Sequence, residues 1–310
     1  MSEPLQFRRG PRRVFGRLGR HLGWARRQGV GRVIEEDRLE PRERMRLALQ
    51  RRRWRRNHHV APNAMPVFVV GVQRSGTNML VLGLERSPEF EVHNENDRAA
   101  FDRFLLRSPS EIRALVERSG QRYVLLKPLC DSHRVAELLD RLGTPNAGRA
   151  IWAFRDVDGR VRSAVEKFGE ANRVALGDIA SGDGLDSWQA GGLSEERLAL
   201  VRSFEYESMT PESAAALFWF LRNSLFFDLG LDRRPDVALA SYDAMVREPE
   251  RAMRAICSFL DFPYRRDLVA HVDARAAGPK PPLDLDPRIR ALCSELEGRL
   301  AEAYRGRTAG

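Results

Sequence analysis

Residues 71–78 read Gly-Val-Gln-Arg-Ser-Gly-Thr-Asn. Gly71 and Gly76 permit a tight turn, and the amides of such a turn and of a helix starting behind it converge on an anion. The six-residue frame is that of a nucleotide phosphate loop, but Thr77 and Asn78 stand where the lysine and the magnesium-binding hydroxyl belong. ATP hydrolysis therefore lacks its parts. The cation present is Arg74, inside the loop, whose planar fork can clamp phosphate or sulfate oxygens. A structural turn without catalytic consequence is the plain alternative. Elsewhere the reactive residue types form no constellation. Cys130, Cys257 and Cys293 repeat no pair spacing and read as ordinary thiols of a reducing compartment. His58 and His59 are adjacent, cannot share a helical face and have no third ligand nearby, so no metal is expected.

The loop needs a strand before it and a helix after it, and the pattern supplies both. VFVVG, from Val67, is a short continuous apolar run, and MLVLGLERS behind the loop has the character of a helix. RYVLLK and AIWAF repeat the short run, each followed by helical periodicity in SHRVAELLDRL and GRVRSAVEKFG. VALASY, near residue 240, adds a strand, and PERAMRAICSFLDF a helix. Short apolar runs alternating with amphipathic helices predict an α/β fold, a P-loop-like, doubly wound parallel sheet flanked by helices. In such a sheet Lys127, which ends the YVLLK strand, points into the crevice where ligands bind. The chain holds only three lysines, Lys127, Lys167 and Lys280, and uses arginine elsewhere.

Between about 171 and 236 the rhythm breaks. SGDGLDSWQAGG is loop-like and PESAAALFWFLRNSLFFDLG is a strongly apolar helical stretch, together read as a helical insertion or cap over the ligand edge. Residues 1–60 form a basic N-terminal arm and helix; residues 61–310 form one α/β domain. The arm holds 18 of the arginines against six acidic residues, so it alone exceeds the net charge of +9 and leaves the domain slightly acidic. Within it, Pro41 to Arg56 reads as a helix with Met45, Leu47, Leu49 and Trp54 as a narrow apolar stripe. The tract RRRWRR admits nucleic acid, an acidic partner or peripheral contact with an anionic membrane surface; a solvated arginine-rich face is the plainer reading. No apolar run is long enough for a signal peptide or a span, which makes cytoplasmic the expected location.

QRSGTNML resembles the 5'-phosphosulfate loop of sulfotransferases that use 3'-phosphoadenosine 5'-phosphosulfate (PAPS). RDVDGRVRS, with Arg155 and Ser163 eight positions apart, is similar to that family's 3'-phosphate signature, and SYDAMVREPERAMRAICSFLDFPY to its late strand and helix. The matches span about 66–168 and 236–264. The resemblance implies PAPS as co-substrate, adenosine 3',5'-bisphosphate (PAP) as product, and no metal. It assigns Arg74, Ser75, Gly76, Thr77, Asn78, Arg155 and Ser163 to the donor, with Arg162 assisting, and gives Lys127 and Arg74 catalytic roles at the transferring group. Tyr242 and Asp243 anchor the strand end. Many cytosolic members place a histidine two residues beyond the strand-end lysine, where this chain has Leu129. Other branches, acting on carbohydrate or tyrosine, use a glutamate after the first helix; Glu95, in EVHNENDRAAFDRF, is the positional match for the general base. Glu91 and His93 are rivals in the same loop, His133 is a further one, and a salt bridge to Arg98 is the plain role for Glu95. Arg222 and Arg98 are available for an anionic or sugar acceptor. His271 and Lys280 fall in a tail that folds over the nucleotide, although GPKPP replaces the family's R-K-G loop. The acceptor is then a hydroxyl, less readily an amine, of a small molecule, carbohydrate or lipid, and the chain is compatible with a homo-oligomer. The competing functions are a P-loop small-molecule kinase and a non-catalytic nucleotide-binding or scaffold protein.

Overall fold

The computed structural model of the chain describes residues 41–58, 64–142, 148–273 and 281–308. His59, Lys280 and the arm before residue 41 lie outside the described residues. The chain divides into two compact units, Met1–Arg52 and Arg53–Gly310. The predicted basic helix is α1, Pro41–Asn57. On it Met45 and Leu49 are exposed, so these members of the stripe are not core residues.

The larger unit is built on a five-stranded sheet, β1 (Met65–Gly71), β2 (Phe90–His93), β5 (Tyr123–Leu126), β6 (Arg149–Phe154) and β7 (Val237–Ser241), in the order β2-β5-β1-β6-β7. Every neighbouring pair is parallel. A two-stranded hairpin, β3 (Phe101–Asp102) with β4 (Leu105–Leu106), stands apart from it. The main strands are apolar throughout because both faces are covered. Alternation along β1 divides the core: Val67 and Val69 pack with one cluster, Phe68 and Val70 with the other.

The helices divide in the same way. In the first layer are α2 (Thr77–Glu85), through Leu80, Val81 and Leu84, and α10 (Pro249–Phe259), through Met253 and Ile256. In the second are α3 (Pro109–Glu117), α4 (Val135–Arg141), α5 (Val157–Phe168), α6 (Ala171–Ser181), α7 (Glu195–Arg202), α8 (Pro211–Asp228) and α11 (Pro287–Thr308). A short helix α9 (Tyr242–Arg247) follows β7. The segment read as an insertion or cap thus supplies α6, α7 and α8, and α8 packs on α5, α6 and α11. All of Ser213–Phe226 is buried, the polar Ser213, Arg222, Asn223 and Ser224 included, so α8 is enclosed on every side.

This layering locates the crevice. The helix after β1 lies on one face and the helix after β6, the adjacent strand, on the other. Between two such strands the connections part, and the carboxyl ends leave an opening for a ligand. One sequence expectation changes here. Glu91 and His93 are not in a loop: they belong to β2, an edge strand hydrogen-bonded to β5. Its four residues are too few for a period-2 signal, and pairing with β5 decides the conformation.

Candidate active site

The turn after β1 is held open by its surroundings. Gly71 has φ 120°, and a Cβ there would lie 2.3 Å from the Ala153 carbonyl oxygen of β6. Its amide donates to Ser132 Oγ at 3.0 Å. Arg74 is left-handed, with φ 72°, an uncommon conformation for a residue with a side chain. Gly76 (φ 83°) starts α2, and a Cβ there would lie 2.6 Å from a Tyr242 ring carbon. The start of α2 has no side-chain cap and no acidic residue in its first turn. Ser75 is buried, and its Oγ has no hydrogen-bond partner among the described residues. Uncapped amides beside an unsatisfied hydroxyl fit a polyoxygen anion.

Arginines complete this cradle. Arg74 Nε donates to Ser163 Oγ at 2.9 Å, so the loop meets α5 directly. Beneath the loop Arg160 is fully buried; its Nε donates to Gln73 O at 3.3 Å and its Nη1 to Ala215 O at 2.8 Å. Burial, reinforced by the Arg74 charge, pulls Arg160 down to about 9. Arg155 leaves the end of β6 with its guanidinium 4.1 Å from the Tyr242 ring centre. It passes over the first turn of α5 because residue 159 is glycine: a Cβ there would lie 2.8 Å from Arg155 Nε and 3.0 Å from Nη2. Gly159 and Ser163 are four apart on α5 and share a helix face, while Arg155 precedes the cap residue Asp156 and reaches that helix from the strand end.

The start of α5, unlike that of α2, is already occupied by carboxylates. Asp156 Oδ1 accepts from Gly159 N at 2.6 Å, Asp243 Oδ2 from Asp156 N at 2.9 Å and Glu297 Oε1 from Val157 N at 3.1 Å. Burial is the main reason Asp243 is pushed up to about 6. An anion in this half of the crevice would therefore have to be held by side chains; of the expected pair, Arg155 lies 3.6 Å from Asp156 Oδ2 and Ser163 accepts from Arg74.

The second cluster lies across the loop. Lys127, buried at the end of β5, donates to Asn78 Oδ1 at 2.7 Å and lies 3.5 Å from Glu95 Oε2. Burial raises the Glu95 pKa; Lys127 and the Leu129 amide oppose that rise. Asn78 thus ties the phosphate-loop helix to Lys127, and the ion pair of Glu95 is with Lys127 and not Arg98. The rival groups are engaged with each other. His93 sits 2.7 Å from Asp97 Oδ2 and 3.3 Å from Glu91 Oε1, and Glu91 accepts from Ser119 Oγ at 2.6 Å. Burial works against the charge on His93, but the two carboxylates outweigh it and raise its pKa. His133 goes the other way, down to about 4, through burial and then the Arg222 and Arg134 charges. Such an imidazole stays neutral and is a poor proton acceptor.

Other expected residues lie apart from these clusters. Arg98 is exposed, Arg162 donates to Pro281 O, and His271 Nε2 is 2.8 Å from Met79 O, against α2. Sequence reasoning missed Ser132, Gly159 and Arg160, and it assigned Asn78 to the donor without pairing it with Lys127. The glycine among otherwise helical residues just after Asp156 is the one local signal. Among the described residues no group of three His, Cys, Asp or Glu could hold a metal, and no helix is long and apolar enough to cross a membrane.

No protein-family model and no curated protein sequence matches the chain. Solved structures do resemble it. A sulfotransferase from Alicyclobacillus acidocaldarius aligns with 81% of this chain and 97% of its own at 15% identity, with a TM-score of 0.42. The sulfotransferase domain from the curacin biosynthetic pathway aligns with 76% and 98% at 13% identity and a TM-score of 0.47. Mouse sulfotransferase SULT7A1, complexed with PAP, aligns with 70% and 65% at 14% identity and a TM-score of 0.35. Likeness this distant carries nothing about catalysis, which rests on the side chains.

Proposed function

We propose that the protein is a PAPS-dependent sulfotransferase that transfers the sulfonate group to an acceptor hydroxyl. The observation that carries this reading is the contact of Lys127 with both Asn78 of the loop helix and Glu95. It sets an anion cradle, a cation and a carboxylate side by side. The 5' end of the donor lies on the uncapped start of α2 with Ser75, Gly76, Thr77 and Asn78, held by Arg74; the 3'-phosphate lies between Arg155 and Ser163. The acceptor oxygen attacks sulfur in line. Its proton passes to Glu95 as the S–O bond to the 5'-phosphate breaks, and PAP leaves. Lys127 and Arg74 stabilise the negative charge growing on the bridging oxygen, and positioning supplies the rest. A raised pKa suits Glu95 to this role, because a carboxylate nearer neutrality takes a proton more readily.

Kinase chemistry is disfavoured by the same contact: Asn78, in the place of the magnesium-binding hydroxyl, has its side-chain oxygen engaged by Lys127. The experiment is release of PAP from PAPS with a panel of hydroxyl acceptors, for the wild type and Glu95→Gln. The variant is expected to lose about 10²–10⁴ in rate, the usual worth of a positioned base, while its PAP affinity holds within about threefold. Equal rates in the two proteins would remove Glu95 from the mechanism, and phosphoryl transfer from ATP would replace the proposal.

A further inference from the structure

Beside the turn that follows β5 lies a second buried guanidinium. Arg222 is 2% exposed, in the middle of α8, and makes no ion pair among the described residues. Its Nη1 donates to Gly191 O at 2.7 Å and to Gln189 O at 3.4 Å, and its guanidinium lies 5.7 Å from the Trp188 ring centre. Its Nη2 is buried with no hydrogen-bond partner among the described residues. The Cys130 thiol acts electrostatically on Arg222 but does not become an anion: burial, then the charges of Glu95 and Asp131, push it up to about 12. Asp131 is committed to Leu106 N at 2.7 Å and to Arg134 at 3.2 Å.

Two sets of contacts place Arg222 at the reaction edge of the sheet. Trp219, one turn earlier on α8, donates through Nε1 to Arg155 O at 3.0 Å, at the end of β6. The segment that receives Arg222 rests on the turn after β5, since a Cβ on Gly191 would lie 2.7 Å from His133 Cε1. That turn begins at Lys127, and its Leu129 amide bonds Glu95. A buried guanidinium without a counter-charge is unfavourable, and burial holds Arg222 down to about 10. An oxyanion from outside the chain would supply both the missing charge and the missing acceptor.

We infer that Arg222 recognises the acceptor through a carboxylate, sulfate or phosphate group, so that the enzyme acts on an anionic acceptor. The inference rests on the sulfotransferase reading for the word acceptor, but the anion site stands or falls separately. The Trp188 ring beside Arg222 fits an apolar body next to the anionic group.

The test is calorimetry on the full chain with benzoate and its neutral analogue benzyl alcohol, with and without saturating PAP. Benzoate is expected to bind the wild type at least tenfold more tightly than benzyl alcohol. The difference should survive PAP and shrink to within about twofold in Arg222→Gln. No preference for benzoate, a preference abolished by PAP, or one unchanged in Arg222→Gln would each overturn the inference. Should Arg222→Gln not fold, the wild type decides: benzoate, and not PAP, is expected to move the ¹⁵N resonances of the neighbouring His133 ring, and unmoved resonances would overturn it. If PAP fails to bind at all, the donor reading falls, while the benzoate comparison without PAP still judges Arg222.

Discussion

Gly159→Ala separates stability from ligand binding. Alanine is about 1 kcal/mol more favourable than glycine inside a helix. The new methyl would sit 2.4 Å from Asp156 Oδ2 and 2.8 Å from Arg155 Nε, whereas comfortable contact begins near 3.4 Å. Both side chains must move. Displacing Asp156 weakens the cap it forms with the residue 159 amide at 2.6 Å, a loss of about 1 kcal/mol. The two effects oppose, so the melting temperature should stay within about 2 °C of wild type. Displacing Arg155 takes it off Tyr242 and away from the first turn of α5. Losing one charge-assisted hydrogen bond to a phosphate weakens binding by about 1.5–3 kcal/mol, roughly 10- to 150-fold. Thermal melting and calorimetry with PAP and with adenosine 5'-monophosphate check this: PAP should weaken by that factor while the monophosphate holds within about threefold. Unchanged PAP affinity would refute the reasoning, as would an equal loss for both nucleotides.

Asp243→Asn should alter the pH dependence of stability. The folded pKa is raised, to about 6 against an ordinary 3.8, so the wild type has this group's stabilisation in full below pH 4 and loses it as pH rises through 6. The melting temperature of the variant relative to wild type should therefore climb between pH 4 and 6.5; a flat difference would contradict the burial argument. Ile289→Ala removes a fully buried contact of α11 and should cost about 2–5 kcal/mol in urea unfolding, whereas a loss under 1 kcal/mol would mean that α11 is peripheral. The acid limb of the pH–rate profile should lie above the ordinary glutamate range and vanish in Glu95→Gln, since burial raises that carboxyl. A limb that persists in the variant would assign it to another group.

The parallel sheet was legible because two-sided burial leaves continuous apolar runs, and each run was followed by a helix of clear periodicity. Strand β2 was not, because in four residues pairing outweighs pattern. The C-terminal helix carried a readable signal that went unused: Ile289, Cys293, Leu296 and Leu300 recur at helical spacing, and all are buried. In the candidate site, the loop frame around Arg74 could be read from its glycines, the assignment of Arg155 with Ser163 came from the resemblance to sulfotransferases, and the structure joins Arg74 to Ser163. The pairing of Asn78 with Lys127 joins residues 49 apart, and the support of Gln73 by Arg160 joins residues 87 apart. Contacts at such separation come from layer packing and leave no local mark. Arg222 was paired in the sequence with Arg98 as a group for an anionic or sugar acceptor; its burial without an ion-pair partner among the described residues sets it apart from the exposed Arg98.

Calorimetry of the wild type and of Arg155→Ala with PAP, adenosine 5'-monophosphate and ATP tests the central claim most directly. A donor site with Arg155 and Ser163 at the 3'-phosphate predicts that PAP binds at least tenfold more tightly than either other nucleotide, and that Arg155→Ala abolishes the preference. Binding led by ATP, or no preference for the 3'-phosphate, would contradict the sulfotransferase account.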